Sequence, residues 1–171
     1  MKYSFLVLIL ISAIFSLINP SVPVKEISKT DLYEVSRVID GDTIEVLIEG
    51  EKNTVRYIGM NTPETVHPSK PVECFGVEAS NKNKELVTGK RVRLVKDISE
   101  TDKYGRLLRY VYVGDTFVNL TLVEEGYANA VSYPPDVTFN EEFRKAEQKA
   151  RENKRGLWGS ACTSTNVTTE N

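Results

Sequence analysis

Apolar and polar residues alternate with a period of two in three consecutive segments of the first half of the chain, which predicts β-strands. The segments are residues 33–39, 43–48 and 54–60. Asp40 and Gly41 separate the first two, and an Asp-Gly pair between alternating runs predicts a two-residue hairpin turn. A second turn is expected around Gly50. Together these patterns predict a three-stranded meander.

Helical and strand patterns alternate in the second half of the chain. One helix is predicted over residues 76–88, because Gly89 follows it as a stop signal, and a shorter one over residues 119–125. Segments rich in valine, leucine and tyrosine predict two more strands, at residues 91–95 and 107–113, joined by a polar loop.

The last helix has the clearest periodicity of the whole sequence. Apolar residues recur at helical spacing and predict one buried face. They are Phe139, Phe143, Ala146 and Ala150. Thr138 and Glu141 have the spacing of a capping box, so we expect Thr138 to cap the helix N-terminus. Gly156 is expected to end the helix.

This order of elements favours an α+β fold that is rich in β-structure. Five short strands, with a helix after the third and further helices at the end, fit a five-stranded OB-fold barrel with about three helices. The pattern alone leaves other α+β arrangements open.

The first residues differ from the rest of the chain in composition. Lys2 precedes an almost uninterrupted apolar stretch at residues 5–18, which is typical of a secretory signal and shorter than the ~20 residues of a membrane span. We expect residues 1–22 to be a signal peptide or an N-terminal anchor, residues 30–160 to form one domain, and residues 161–171 to be a flexible tail. The protein is therefore expected to be secreted, or else anchored on the outer side of a membrane.

The sequence contains two cysteines, Cys74 and Cys162. In an exported chain an even number favours one disulfide, and two free thiols are the alternative. Neither cysteine lies in a C-x-x-C motif, so a metal bound by cysteine is not expected.

The charge balance limits how the protein can contact nucleic acid. The formal net charge is −2, from 22 basic and 24 acidic side chains. This counts against a protein that coats nucleic acid through bulk positive charge, but it permits an enzyme that grips one phosphate with a few arginines. His67 is the one histidine, which excludes mechanisms that need two.

Three polar segments lie where the predicted strands end or turn. The first contains Asp40 and Asp42, whose carboxylates repel each other unless solvent or a cation separates them. The second begins with Arg56 on the apolar side of a strand, where a charge needs a partner, and a plain salt bridge would suffice. It ends at residues 61–64, Asn-Thr-Pro-Glu, which offer oxygen ligands of the kind that calcium takes. The third is the polar loop at residues 101–106.

Together the three segments closely resemble the staphylococcal nuclease family. The motifs are Ile-Asp-Gly-Asp-Thr at residues 39–43, Arg56 followed by Asn-Thr-Pro-Glu at residues 61–64, and Thr-Asp-Lys-Tyr-Gly-Arg at residues 101–106. The resemblance covers about residues 33–158. It implies an OB-fold enzyme that binds one calcium ion, hydrolyses DNA and RNA, and leaves 3′-phosphate ends.

The resemblance also implies a set of calcium ligands. Asp42 would bind the ion directly, Thr62 would offer its backbone carbonyl, and Asp40 would lie near the ion through a water molecule. Asn61 stands where the family has a second carboxylate, so an amide oxygen remains but one negative charge is lost. We therefore expect weaker calcium binding than in an Asn61→Asp variant.

The remaining roles concern the scissile bond and the substrate. Arg56 and Arg106 would bind the phosphate and stabilise the charge of the transition state, and Glu64 would orient or deprotonate the attacking water. Lys103 and Tyr104 would contact a neighbouring phosphate. Tyr133 would stack on a base, although it lies one position away from the usual tyrosine of the family.

Two other functions remain open on such a fold: a non-catalytic nucleic-acid-binding module, and an exported adhesion or ligand-binding domain. The presence of Arg56, Glu64 and Arg106 favours the enzyme, because degenerate domains typically lose this set. We expect a monomer that acts on DNA and RNA, has no stable protein partner, and meets a membrane only if the N-terminal segment is uncleaved.

Overall fold

Residues 32–65 and 71–163 are described in the computed structural model of the protein. The predicted signal or anchor, His67 and the tail beyond residue 163 lie outside these ranges. Within the two ranges, no helix combines the length and the apolar character needed to cross a bilayer.

Five strands close into a barrel. The described strands are β1 (Leu32–Val38), β2 (Thr43–Ile48), β3 (Glu51–Tyr57), β4 (Met60–Asn61), β5 (Arg91–Val95), β6 (Leu107–Val113), β7 (Thr116–Phe117) and β8 (Asn129–Ala130). β1 to β3 form the predicted meander, and β1 also pairs with β5, which pairs with β6. Parallel pairing of β3 with β6 closes the barrel. The predicted α+β fold with a five-stranded OB-type barrel is confirmed.

Helices cover the barrel. Within the described ranges they are α1 (Gly76–Val87), α2 (Val118–Glu124), α3 (Asn140–Glu152), a 3-10 helix (Gly156–Trp158) and α4 (Ser160–Thr163). α1 and α2 match the predicted helices to within two residues at each end, whereas α3 ends at Glu152, before the predicted stop at Gly156. The short α4 was not predicted and makes four α-helices instead of about three, because four residues are too few for a periodic pattern.

The barrel interior is filled by the inward-facing residues of the alternating strands. Val46, Val55, Val92 and Val111 are fully buried, and Phe143 from α3 is 1% exposed beside them. Each such side chain contributes ~1.5–3 kcal/mol by leaving water. The face of α3 predicted to be buried does face the core, since Ala146 and Ala150 are buried as well.

The predicted capping box of the last helix is wrong. α3 begins at Asn140, its N-cap is Phe139, and no side chain caps it. Thr138 instead donates its backbone N–H and its hydroxyl to the Asp97 carboxylate, at 3.0 and 2.8 Å. A capping threonine accepts an N–H of the first helical turn, whereas here Thr138 gives both of its donors to the ionised Asp97, which holds the residue outside the helix.

The Asp40-Gly41 turn also differs from its prediction. β1 ends at Val38 and β2 begins at Thr43, so the connection has four residues instead of two. Gly41 is not in the left-handed conformation that a two-residue Asp-Gly turn needs. A side chain does not fit at position 41, because a Cβ there would lie 2.7 Å from the Thr62 side chain.

The third strand is shifted from the predicted residues 54–60. It starts at Glu51, directly after the turn at Glu49 and Gly50, and ends at Tyr57. Gly59 then adopts a φ of 82°, and any Cβ there would overlap the Phe143 ring. The chain therefore breaks at Gly59 and resumes as β4, which pairs with β8 in a separate two-stranded sheet.

A disulfide joins Cys74 to Cys162, as the even cysteine count favours. No free cysteine occurs in the part of the chain that the structure describes. The bridge links the segment before α1 to α4, and so ties the C-terminal end of the domain to the segment that follows Glu64.

Candidate active site

The Asp42 carboxylate is a buried acceptor at the end of the β1–β2 connection. Its side chain is 8% exposed. Its Oδ2 accepts the backbone N–H and the hydroxyl of Thr62 at 2.8 and 2.9 Å, and its Oδ1 accepts the Thr43 hydroxyl at 3.0 Å. These bonds hold Asp42 against the end of β4, so two segments that are distant in sequence meet at one carboxylate.

Arg56 is the cation that faces this carboxylate. Thr43 pairs with Arg56 in the β2–β3 ladder, so the strand register brings the guanidinium next to Asp42. Its Nη1 lies 3.0 Å from Asp42 Oδ1, and its Nη2 donates to Asn61 Oδ1 at 2.7 Å. The arginine is 13% exposed, and the carboxylate balances its buried charge. The expected salt bridge is present, and it lies within the predicted site.

Asp40 and Asp42 form a pair of neighbouring carboxylates despite the arginine. Burial and the Asp42 charge raise the pKa of Asp40 to about 6. Asp40 Oδ1 also accepts the Asp42 backbone N–H at 3.0 Å. Burial is the larger of the two causes, because a carboxyl shielded from water loses its proton less readily.

The oxygens around Asp42 fit a hard divalent cation. They come from two carboxylates, the Asn61 amide and the Thr62 backbone carbonyl, and calcium takes such a set. Among the residues that the structure describes, no cluster of three or more His, Cys, Asp or Glu side chains is suited to a metal. A cation here would therefore depend on neutral oxygens beside Asp40 and Asp42. The Asn61 amide oxygen accepts from Arg56 Nη2 at 2.7 Å, so the guanidinium has to move before this oxygen can bind a cation.

A groove of about 570 Å³ runs from Arg56 along the polar loop of residues 101–106. The predicted phosphate-binding and base-binding residues all line it together with Arg56. They are Lys103, Tyr104, Arg106 and Tyr133. The structure thus brings the two arginines, the lysine and the two tyrosines to one surface.

Asp102 organises the loop that carries these residues. It accepts the backbone N–H groups of Tyr104 and Arg106 at 2.9 and 3.0 Å. Its Oδ2 also lies 2.7 Å from both Nε and Nη2 of Arg106. The motifs do not reveal this role of Asp102, although an aspartate three residues before a glycine is a common turn signal.

Two tyrosines project from the groove into solvent. Tyr104 is 72% exposed and Tyr133 is 65% exposed. The segment that bears Tyr133 is fixed by the buried Asp136, whose Oδ1 accepts the N–H groups of Ile98 and Ser99 at 3.0 and 2.7 Å. Exposed aromatic rings on a fixed support can stack on nucleic-acid bases. Asp136 was not found from the sequence, because nothing local distinguishes it from a surface aspartate.

Glu64 lies two residues after Thr62 but does not line the described groove. Its backbone is held on both sides by Glu73, whose carboxylate accepts the Glu64 N–H at 3.0 Å and whose N–H donates to the Glu64 carbonyl at 2.9 Å. The Glu64 carboxylate accepts the Thr65 N–H at 2.9 Å. The groove that holds Arg56 and Arg106 is therefore not lined by Glu64, nor by the predicted cation ligands Asp40, Asp42, Asn61 and Thr62.

Comparisons with known proteins show which family the chain belongs to. The family model described as staphylococcal nuclease homologue matches residues 54–160. The chain is 42% identical over 157 residues to a thermonuclease of Staphylococcus intermedius, covering 90% of this chain and 93% of that protein. It is 44% identical over 126 residues to a thermonuclease of Staphylococcus hyicus, covering 74% and 75% of the two chains. The endonuclease YncB of Bacillus subtilis is 44% identical over 134 residues, which are 77% of this chain and 64% of that protein.

The chain belongs to the staphylococcal nuclease family. This staphylococcal nuclease homologue has an asparagine at position 61, where the resemblance predicts a carboxylate. The structure gives Asn61 two bonds that a carboxylate could not both form, because its oxygen accepts from Arg56 while its nitrogen donates to the Thr62 carbonyl. An aspartate would leave that carbonyl without the amide donor.

Proposed function

We propose that this protein is a calcium-dependent nuclease that hydrolyses phosphodiester bonds of DNA and RNA and leaves 3′-phosphate ends. The observation that carries the proposal is the position of Arg56. Its guanidinium contacts the buried Asp42 carboxylate and also lines the groove that contains Arg106 and Lys103. A carboxylate site for a cation and a cationic groove for phosphates thus meet at one side chain.

Arg56 and Arg106 bind the scissile phosphate. Their planar guanidinium groups match phosphate oxygens in pairs, which a lysine cannot do. The negative charge on those oxygens grows in the five-coordinate transition state, so fixed cations stabilise it more than the ground state. Asp102 orients Arg106 before substrate arrives. Lys103 supplies a further positive charge for a neighbouring phosphate.

Asp42, Asn61 and Thr62 would hold the calcium ion, with Asp40 beside it. All four offer hard oxygen atoms, and the crowding of two carboxylates favours a divalent cation at this corner. When bound, calcium would supply positive charge near the phosphate and make a nearby water more acidic.

Glu64 orients or deprotonates the attacking water. A carboxylate can accept the proton that water loses as it attacks phosphorus. Glu73 bonds to both the N–H and the carbonyl of Glu64, so the backbone that orients the Glu64 side chain is fixed.

Tyr104 and Tyr133 stack on bases of the substrate. Both rings are more exposed than aromatic side chains in the core, and both line the groove. Stacking of this kind needs bases that are free of a partner strand, so the proposal favours single-stranded or frayed substrate.

The protein acts outside the cytoplasm as a monomer. The Cys74–Cys162 disulfide supports the location outside the cytoplasm, because disulfides persist in oxidising compartments. Residues 1–22 would then direct export and either be removed or remain as an outer anchor, and residues 30–160 would form the nuclease domain.

Digestion of single-stranded DNA tests the proposal. The full chain is assayed with calcium, with excess chelator, and as the Glu64→Ala variant, with Glu142→Ala on the exposed side of α3 as a matched control. We expect the chelator to abolish cleavage, Glu64→Ala to lower kcat by about 10²- to 10⁴-fold, and Glu142→Ala to behave as wild type. A wild-type protein that retains DNA on a filter but does not cleave it in calcium at alkaline pH would be a binding module instead.

A further inference from the structure

Asn83 is a polar residue in the interior of the protein that the reaction does not use directly. It lies on α1 and is 0% exposed. A buried amide must have partners for its nitrogen and its oxygen, or it destabilises the fold. Both partners are present, because Oδ1 accepts the Tyr57 hydroxyl at 2.9 Å and Nδ2 donates to the Asp40 backbone carbonyl at 2.9 Å.

Tyr57 bonds to the connection between β1 and β2 at Asp42, two residues after the Asp40 carbonyl that Asn83 holds. Its backbone N–H donates to the Asp42 carbonyl at 2.9 Å, and its ring is 2% exposed. One side chain from α1 and one residue of β3 therefore fix the backbone carbonyls of both Asp40 and Asp42. The connection between β1 and β2 is longer than a tight turn, so its shape depends on such external bonds.

We propose that Asn83 is a positioning residue for the cation site, which sets divalent-cation affinity by fixing the Asp40 backbone. The inference rests on the proposed function, because it assumes that Asp40 and Asp42 face the cation. The positions of the Asp40 and Asp42 carboxylates depend on the backbone that bears them, which Asn83 and Tyr57 hold through its carbonyls. Without the Asn83 amide the Asp40 carbonyl loses this donor, and the loop relaxes in the direction that separates the two charges.

Calcium titration without nucleic acid measures this effect apart from catalysis. We compare wild type with Asn83→Ala by calorimetry at a temperature where circular dichroism shows both to be folded. The expected loss of calcium affinity is about 10- to 100-fold, the usual effect of removing a residue that orients metal ligands. Equal affinity in wild type and Asn83→Ala would overturn the inference and leave the proposed function intact. A wild type that binds no calcium would overturn both.

Asn119→Ala is the matched control for loss of a buried amide. Asn119 is also 0% exposed, but it bonds to the Val111 N–H and to the Ile58 and Arg109 carbonyls, away from the Asp40 loop. We expect it to lower the melting temperature as Asn83→Ala does while calcium affinity stays within a factor of about 3 of wild type. A parallel loss of affinity in Asn119→Ala would show that general loosening is responsible, and the inference would fall.

Tyr57→Phe provides a second, milder variant. It removes the hydroxyl that orients Asn83 and keeps the ring in the core. Calcium affinity should fall by less than in Asn83→Ala, because the bond from the Asn83 amide to the Asp40 carbonyl remains. If Asn83→Ala does not fold, Tyr57→Phe decides alone, and unchanged calcium affinity in it refutes the role of Asn83.

Discussion

The Cys74–Cys162 bridge yields the largest stability prediction. It joins residues 88 positions apart, and the chain-entropy model assigns a loop of that length about 4.6 kcal/mol at 25 °C. The perturbation is the double variant Cys74→Ser/Cys162→Ser, which leaves no reactive thiol. Removal of native disulfides costs about 2–5 kcal/mol in small domains, and we expect the free energy of unfolding to fall within that range.

Urea unfolding followed by fluorescence of the one tryptophan, Trp158, measures this change. Trp158 lies in the 3-10 helix just before α4, so its signal reports the region that the bridge holds. Wild type reduced with dithiothreitol should unfold like the double variant. A loss under about 0.5 kcal/mol, within the range of neutral surface substitutions, would refute the reasoning.

The same variant has a consequence for catalysis. Cys74 follows Glu73, which holds both backbone groups of Glu64. Without the bridge, the segment that contains Glu73 is held less firmly, and so is the Glu64 backbone to which it bonds. We therefore expect kcat to fall under conditions where the protein remains folded. The KM for DNA should not change, because the groove residues lie on other elements.

Three further predictions concern single residues. Asn61→Asp should bind calcium about tenfold more tightly in a calorimetric titration, since a second negative charge near the ion outweighs the lost amide bond; equal or weaker binding contradicts this. Asp97→Asn should lower the free energy of unfolding by about 1–3 kcal/mol, because Thr138 and Tyr110 lose an ionised acceptor. Burial raises the pKa of Asp97, but the hydrogen bonds from Thr138 and Tyr110 outweigh it and lower the pKa overall. The stabilisation by the ionised Asp97 is therefore complete above about pH 4 and disappears as pH falls through the lowered pKa. If the urea midpoints of wild type and Asp97→Asn differ as much at pH 2 as at pH 7, this explanation is wrong. Gly59→Ala should lower the melting temperature markedly, because its φ is 82° and a Cβ would meet a core phenylalanine, whereas wild-type melting would show that the loop adapts.

The barrel could be predicted because its strands have one buried face and one exposed face, which imposes the period-two pattern. The predictions for the end of the third strand and for the capping box failed because each depends on a contact with a residue that is distant in sequence. The break at Gly59 depends on the Phe143 ring from α3, and Thr138 leaves its helix because Asp97, 41 positions away, accepts both of its donors. Local rules for caps and turns cannot include such partners.

In the candidate site, too, local sequence motifs revealed some residues and missed others. The motifs located Asp42 and Arg56, and the strand register explains why they meet. Asn83 was not found, because a helix with a weak apolar pattern gives no indication that one of its asparagines is buried against Tyr57, 26 positions earlier. Residues that position others are recognised only when their bonds are seen.

One structure would test the account most directly: the Glu64→Ala protein crystallised with calcium and a single-stranded oligonucleotide. We predict that calcium lies on the Asp42 carboxylate and that Arg56 and Arg106 both contact one phosphate beside it. A phosphate that reaches only one of the two arginines, or a calcium ion bound away from Asp42, would contradict the claim that these groups act on a single phosphodiester.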